Sequence, residues 1–189
     1  MARSPIAGWA GPLDGPAPGN PLDRDSIAEM IQEPTPLIED YVSLGQQLQP
    51  NGFDFTLRDV DKLVSAGSMG AGTGQREISA TETLSFGPDG WLSLAPGPYR
   101  ITFNEVVTLP LDLMALARPR SSLLRSGVSV HTAVWDAGYH GRSEALLVVH
   151  HPLGYRLQRD ARLVQLIFFR LPQAVSQGYQ GRFQGENLR

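Results

Sequence analysis

The sequence predicts a mainly β protein, an antiparallel sandwich or jelly roll with one or two short helices. Twenty glycines and fifteen prolines in 189 residues favour frequent turns over long helices. From Thr81 onward, short apolar runs with alternating polar residues follow one another between turn signals. The last run, 161–171, is almost continuously apolar, which predicts a strand that is buried on both faces.

The composition is that of one soluble domain. Apolar residues make up 41% of the chain and charged residues 19%, and the net charge is −3. This charge gives no general attraction for nucleic acid or an anionic membrane, so we expect neither as a partner. The absence of cysteine excludes disulfides and thiolate zinc sites and is compatible with the cytoplasm, where we place the protein. We expect no signal peptide and no membrane-spanning segment.

The first elements are an arm and a helix. Residues 1–21 are rich in glycine and proline without periodicity, which predicts a flexible N-terminal arm. Asp23 or Asp25 is placed to cap a short helix, and Pro34 is expected to end it.

The strands come next along the chain. Phe53 and Phe55 alternate with Asp54, so the carboxylate is expected to point away from the two rings. Residues 65–76 are mostly small and predict a mobile loop. Further strands are predicted around 91–94, 99–103, 106–109, 128–130 and 145–149.

Two neighbouring segments carry groups that bind anions and move protons. Residues 120–127 hold two arginines and three serines, and both side-chain types grip phosphate oxygens well. Nine residues later, the turn 136–141 adds one carboxylate, Asp136, and one aromatic ring, Tyr139. An anion-binding segment with a carboxylate close behind it indicates an enzyme that acts on a phosphorylated metabolite.

Five segments follow one another along the chain: PNGFD (50–54), PRSSLLRSGV (119–128), HTAVWDAGYHG (131–141), ARLVQL (161–166) and GRFQGE (181–186). In this order they resemble the motif set of the dUTPase / dCTP deaminase superfamily. The opening of the helix looks like the deaminase-type branch, which includes archaeal dUTPases. The resemblance implies a distorted β jelly roll that forms a homotrimer with sites at subunit contacts, a β domain over 22–175 and a flexible C-terminal lid over 176–189.

The resemblance leaves a choice between two activities. The deaminases carry a proton-shuttling glutamate ten residues after the motif aspartate, where this chain has Leu146. The prediction is therefore a dUTP diphosphatase of pyrimidine deoxynucleotide metabolism, which uses Mg²⁺. A two-residue shift along a strand would present Glu144 on the same face, so a dCTP deaminase or a bifunctional enzyme is the alternative. A trimeric nucleotide-binding regulatory protein is the non-enzymatic alternative.

The resemblance also implies catalytic roles for two residues and a selecting role for a third. Asp136 is expected to orient and deprotonate the water that attacks the α-phosphorus, and Gln165 to bond the phosphate or that water. Tyr139 is expected to pack under the deoxyribose and exclude a 2′-hydroxyl. The alternatives are a turn-capping aspartate, a structural amide and a half-buried strand aromatic.

The remaining predicted residues bind the triphosphate or close the site. Arg120, Ser121, Ser122 and Arg125 are expected to hold the triphosphate, in a neighbour's site if the chain is a trimer. The alternative is a solvated helical turn, with Arg125 in a subunit salt bridge.

The tail and the first motif complete the predicted site. Arg182 is expected to meet the γ-phosphate while Phe183 closes over the nucleoside, unless the tail is only solvated chain. Asp54 is expected near the water shell of the magnesium ion, with a purely structural aspartate as the alternative.

Overall fold

The computed structural model describes residues 19–72 and 74–188. The predicted mainly β fold is confirmed, and the described residues hold three short helices where one or two were expected: α1 (Arg24–Ile31), α2 (Leu44–Gln47) and α3 (Ser121–Arg125). The strands are β1 (Ile38–Glu39), β2 (Leu48–Gln49), β3 (Gly52–Leu63), β4 (Ser68–Met69), β5 (Arg76–Glu77), β6 (Thr81–Thr83), β7 (Trp91–Leu94), β8 (Gly97–Phe103), β9 (Val106–Thr108), β10 (Leu113–Pro119), β11 (Val128–His131), β12 (His140–Gly141), β13 (Glu144–Val149), β14 (Tyr155–Gln158) and β15 (Arg162–Arg170).

Most strands join one antiparallel sheet with the order β10-β15-β3-β8-β13-β11, and β2 and β6 also pair with β3. The long β3 connects the two halves, because its first part pairs with β15 and its second part with β8. Smaller sheets are β1-β9-β12, β7-β14 and the hairpin β4-β5, which forms within the predicted 65–76 loop. In the described part of the chain, no helix has the length and apolar character needed to cross a bilayer.

The predicted arm, 1–21, falls largely outside the described residues, which begin at Gly19. From there the backbone runs beside the end of β15, where Gly19 N donates to Arg170 O at 2.8 Å and Leu22 N donates to Phe168 O at 2.8 Å. Leu22 is fully buried, so the chain joins the core directly after the arm.

Helix α1 begins as the sequence predicts and ends earlier. Of the two candidate caps, Asp23 is the one used, because its Oδ1 accepts a hydrogen bond from Ser26 N at 2.8 Å. This bond also lowers the pKa of Asp23. The helix ends at Ile31, three residues before Pro34, which is consistent with the bias of residues before proline against helix.

The aromatic core lies against β3. Phe53, Phe55 and Phe103 form a chain of edge-to-face contacts with ring centroids 6.3 and 5.6 Å apart. The expectation that β15 is buried on both faces is wrong for part of the strand. Ile167 and Phe169 keep partial exposure because a single chain covers that face of β15 incompletely.

A carboxyl group is buried behind β3. Glu105 has no exposed surface, and its side chain accepts hydrogen bonds from Gln47 Nε2 at 2.6 Å, Thr56 Oγ1 at 2.5 Å and Thr56 N at 2.9 Å. Gln47 Nε2 also donates to the backbone oxygen of Asp54 at 2.8 Å. These bonds therefore fix the backbone of β3 directly after the Asp54 side chain.

Burial of Glu105 predicts a pH-dependent stability. Burial raises the pKa of Glu105 from 4.5 to about 7, against the opposing effect of its hydrogen bonds. Between these values the folded chain binds a proton that the unfolded chain has lost, so stability falls as pH rises through this interval and then levels off. The free energy of unfolding falls over this interval by an amount on the order of 3 kcal/mol. Thermal unfolding midpoints of the wild type should drop between about pH 5 and about pH 7.5. The unfolding midpoints of Glu105→Gln should change less over the same pH range. If the midpoints of both proteins fell equally with pH, Glu105 would not be the cause of the fall.

Candidate active site

The first group of candidate residues forms where β3, β15 and β10 lie side by side. In the strand register, Gln165 of β15 stands opposite Asp54 on β3 and opposite Arg118 on β10. Arg120 directly follows β10, and Arg162 begins β15. We call Asp54, Arg120, Arg162 and Gln165 the arginine–aspartate cluster.

Asp54 joins the two guanidiniums of this cluster. Its side chain is nearly fully buried, and its Oδ2 lies 3.2 Å from Arg120 Nη1 and 3.3 Å from Arg162 Nη1. Burial raises the pKa of Asp54, and the charges of the two arginines oppose that shift. One carboxylate between two guanidiniums leaves an excess positive charge, which suits a phosphate-binding surface. The immediate partners of Asp54 are thus cations of the same chain.

Gln165 is positioned by a close approach of the β2–β3 turn to β15. A Cβ atom on Gly52 would lie 2.1 Å from the backbone oxygen of Leu166 and 3.1 Å from Gln165 Nε2, so only glycine fits there. The Gln165 side chain keeps partial exposure. An amide in this position is available to bond a ligand from solvent.

Helix α3 holds the predicted triphosphate-binding residues at the surface. Arg120 N donates to Leu163 O at 2.9 Å, which ties the start of the helix to β15, and Leu123 is buried beneath it. The side chains of Ser121, Ser122 and Arg125 are exposed. The helix thus presents two hydroxyls and a guanidinium outward, beside the arginine–aspartate cluster.

The second group surrounds a cavity of about 390 Å³, which we call the Tyr139 pocket. Its wall is anchored to β10, because Trp135 and Ala115 exchange two backbone hydrogen bonds of 2.9 and 3.1 Å. Asp136 is exposed at the pocket, and Tyr139 N donates to Asp136 O at 3.1 Å to close the turn. The pocket is lined by Ala133, Val134, Trp135, Asp136, Tyr139, Ser143, Glu144, Tyr179, Phe183 and Glu186.

The C-terminal tail forms part of this pocket. Gly185 N donates to His140 O at 2.8 Å and Arg142 N donates to Glu186 O at 3.0 Å, so the tail runs along the segment that follows Asp136. Phe183 lines the pocket, and its closing over a nucleoside stays a prediction. Arg182 is exposed and is not among the lining residues.

A hydrogen bond joins the tail to the predicted sugar-binding ring. The Tyr139 hydroxyl donates to Glu186 Oε1 at 2.8 Å. Burial, followed by this bond, raises the pKa of Tyr139, and burial also raises the pKa of Glu186. The Tyr139 ring is therefore a neutral wall of the pocket at ordinary pH.

Within one chain the two groups are apart. The Tyr139 pocket is tied to β10 at Ala115, whereas Gln165 of the arginine–aspartate cluster pairs with Arg118 and Arg120 follows Pro119. Three to five residues of extended chain separate these points, about 10 to 17 Å along β10. None of the predicted triphosphate-binding residues of α3 lines the pocket. Asp136 and Tyr139 thus line one pocket, and Arg120 and Gln165 of the same chain are not among its lining residues.

A wider cavity of about 560 Å³ adjoins the Tyr139 pocket and shares Ala133 and Glu144 with it. Leu146 lines this second cavity, at the position where the deaminases have their glutamate. Glu144 faces the same side of β13, but its carboxylate lies 3.4 Å from Arg100 Nη1 and accepts a hydrogen bond from Asn187 Nδ2 at 3.2 Å. Residues of the β4–β5 hairpin form another wall, so the 65–76 segment borders the site.

Sequence reasoning missed three residues of these groups. Arg162 is the second residue of the ARLVQL segment, and a cation at the start of a strand predicted to pair near Asp54 could have marked it. Glu186 is the only carboxylate among residues 176–189, which could have marked it in a polar tail. Tyr179 had no comparable signal, because its contact with Tyr139 depends on how the tail folds back.

Comparisons with known proteins agree with this architecture. A family profile described as dCTP deaminase-like matches residues 21–171. A protein of Methanococcoides burtonii named probable deoxyuridine 5'-triphosphate nucleotidohydrolase is 42% identical over 167 residues, 88% of this chain and 98% of that protein. A protein of the same name from Archaeoglobus fulgidus is 48% identical over 167 residues, 88% and 97% of the two chains. The crystal structure of 2'-deoxycytidine 5'-triphosphate deaminase from Agrobacterium tumefaciens shares the fold, with a TM-score of 0.61 and 23% identity over 80% of this chain and 48% of that chain.

Proposed function

Because this chain belongs to the dCTP deaminase-like family, we propose that it is a dUTP diphosphatase that hydrolyses dUTP to dUMP and pyrophosphate. The observation that carries the choice of activity is Leu146, which lines the cavity beside the Tyr139 pocket and cannot relay a proton. The names of the relatives at 42 and 48% identity support the same choice. A cysteine-free chain is compatible with activity in the cytoplasm.

In the proposed reaction, the Asp136 carboxylate orients one water and takes its proton. The water oxygen forms a bond to the α-phosphorus, the bond from that phosphorus to the bridging oxygen breaks, and pyrophosphate leaves. Positioning and charge neutralisation supply most of the catalysis in such a transfer. Gln165 and the guanidinium of Arg120 would bond the phosphate oxygens as charge moves toward pyrophosphate.

We also propose that the working site is shared between subunits of a homotrimer. The two groups are anchored to β10 at points roughly 10 Å or more apart, and neither Arg120 nor Gln165 lines the Tyr139 pocket of the same chain. The arginine–aspartate cluster and α3 of one subunit would then hold the triphosphate of a nucleotide bound in a neighbour's Tyr139 pocket. This arrangement also gives the exposed Arg125 a role at the subunit contact.

The residues present fit a magnesium ion that is carried by the substrate. Among residues 19–72 and 74–188 there is no group of three or more side chains of the metal-binding types. Mg²⁺ keeps most of its waters and relies on substrate phosphates, so it needs no such group. Bound to the triphosphate, it would neutralise charge on the phosphate oxygens. Asp54 would contact its water shell at most, because the two arginines occupy the Asp54 carboxylate.

Deamination of dCTP is the second candidate, and Glu144 is the observation in its favour. This carboxylate lines both cavities and faces the same side of β13 as Leu146. Its contacts with Arg100 and Asn187, however, occupy the group that a proton shuttle would need free.

Parallel incubations of the protein with dUTP and with dCTP distinguish the candidate functions. The protein should release pyrophosphate from dUTP in the presence of Mg²⁺ and no ammonia from dCTP. Ammonia from dCTP would contradict the assignment and point to Glu144, for which Glu144→Gln is the follow-up variant. Tight binding of dUTP without any turnover would instead favour a regulatory nucleotide-binding protein.

A further inference from the structure

We propose that Glu186 is a positioning residue for sugar selection, because it fixes the Tyr139 ring through their hydrogen bond. The inference rests on the proposed function, in which that ring packs under a deoxyribose. Glu186 belongs to the tail and Tyr139 to the turn after Asp136, and the bond between them measures 2.8 Å. Glu186 is half-buried and lines the same pocket as the ring.

Two residues of the tail hold the Tyr139 ring, and a glycine leaves room for its hydroxyl. The Tyr179 ring meets it edge to face, with centroids 5.7 Å apart and an angle of 68°. Gly141 gives room for the hydroxyl, since a Cβ atom there would lie 2.8 Å from Tyr139 Oη. Glu186 supplies the second contact, which bonds the hydroxyl. Both contacts come from the tail.

Selection of deoxyribose over ribose by steric exclusion requires that the Tyr139 ring stays in place. A 2′-hydroxyl is rejected only if the ring under the sugar cannot yield by the width of one oxygen atom. A residue that contacts substrate keeps such accuracy when neighbouring groups lock its side chain by packing and hydrogen bonds. The bond to Glu186 provides that lock, because it restrains the far end of the ring, where a small rotation gives the largest displacement.

The backbone of the tail places Glu186 accurately. Arg142 N donates to Glu186 O at 3.0 Å, and Arg142 Nε donates to the backbone oxygen of Asn187 at 3.1 Å. Asn187 Nδ2 returns a hydrogen bond to Arg142 O at 3.0 Å. The residue after Glu186 and the backbone of Glu186 itself are thus both tied to one buried arginine. The carboxylate stands at a fixed distance from the Tyr139 hydroxyl.

The test compares dUTP with UTP on variants of the tail. The ratio of kcat/KM for dUTP to that for UTP should fall roughly tenfold in Glu186→Ala, the equivalent of one charge-assisted hydrogen bond. Glu186→Gln should keep most of the ratio, because its amide oxygen still accepts the bond. Gln184→Ala is the matched control, since Gln184 also ties the tail down, through Gly138 O and His140 N, but does not touch the ring. This control should leave the ratio unchanged.

Each outcome decides between the proposals. An unchanged ratio in Glu186→Ala would overturn the inference while leaving the dUTP diphosphatase intact. An equal loss in Gln184→Ala would also overturn it, because general docking of the tail would then set selection. If the wild type hydrolyses neither dUTP nor UTP, the proposed function fails, and the role of Glu186 is then tested by calorimetric affinities of the same variants for dUMP and UMP. A wild-type preference for dUMP that is lost in Glu186→Ala would uphold the role of Glu186, and any other pattern would overturn it.

Discussion

Replacing Asp136 with asparagine should lower kcat for dUTP by about a thousandfold, the usual effect of removing a general base. Asparagine keeps the shape of the exposed side chain, and the turn itself is closed by the backbone bond from Tyr139 N to Asp136 O. The affinity for dUTP should therefore change little, since Tyr139 and the triphosphate-binding residues are untouched. Single-turnover rates and calorimetric dissociation constants measure the two effects separately.

A matched control is Asp89→Asn, which makes the same change in another exposed turn. There the Asp89 carboxylate accepts a hydrogen bond from Trp91 N at 3.1 Å, a bond that asparagine can also accept. This variant should keep the wild-type rate. A loss in Asp136→Asn of less than about tenfold would mean that the carboxylate is not the base.

Mixed oligomers should recover activity that neither parent variant has. Arg120→Ala removes one guanidinium from the arginine–aspartate cluster and should lower kcat/KM for dUTP by roughly a hundredfold, while Asp136→Asn disables the Tyr139 pocket. If each site takes these two parts from different subunits, random co-assembly gives about a quarter of the sites both intact parts. Co-refolding the two variants and measuring dUTP hydrolysis checks this.

The double variant Arg120→Ala/Asp136→Asn, refolded with wild type, is the control for the exchange of subunits. Its subunits supply neither an intact arginine–aspartate cluster nor an intact Tyr139 pocket, so mixing it with wild type should only lower the rate of dUTP hydrolysis. A mixture of the two single variants that stays as inactive as its parents, in oligomers shown to contain both chains, would contradict a shared site.

Short-range sequence signals predicted the elements of the fold well. The helix cap at Asp23 or Asp25 and the strands predicted at 99–103 and 145–149 each depend on neighbouring residues. The structure has the cap at Asp23 and the strands Gly97–Phe103 and Glu144–Val149. The exact end of α1 was missed, because the proline signal at Pro34 does not mark the last helical residue. The β4–β5 hairpin was missed, because backbone pairing formed it where side-chain patterns were weak.

The candidate site depended on contacts between distant parts of the chain. Asp54 and Arg162 are 108 positions apart, and Tyr139 and Glu186 are 47 apart. No periodicity of the sequence relates such pairs. The resemblance supplied Asp136, Tyr139 and the tail, but the cation partners of Asp54 and the acceptor for the Tyr139 hydroxyl required the packed structure.

The most direct test of the account is the dUTP incubation carried out in water enriched in the heavy oxygen isotope, with mass analysis of both products. Attack on the α-phosphorus by the water that Asp136 orients predicts one heavy oxygen in dUMP and none in pyrophosphate. Heavy oxygen in pyrophosphate, or release of single phosphate, would contradict the account.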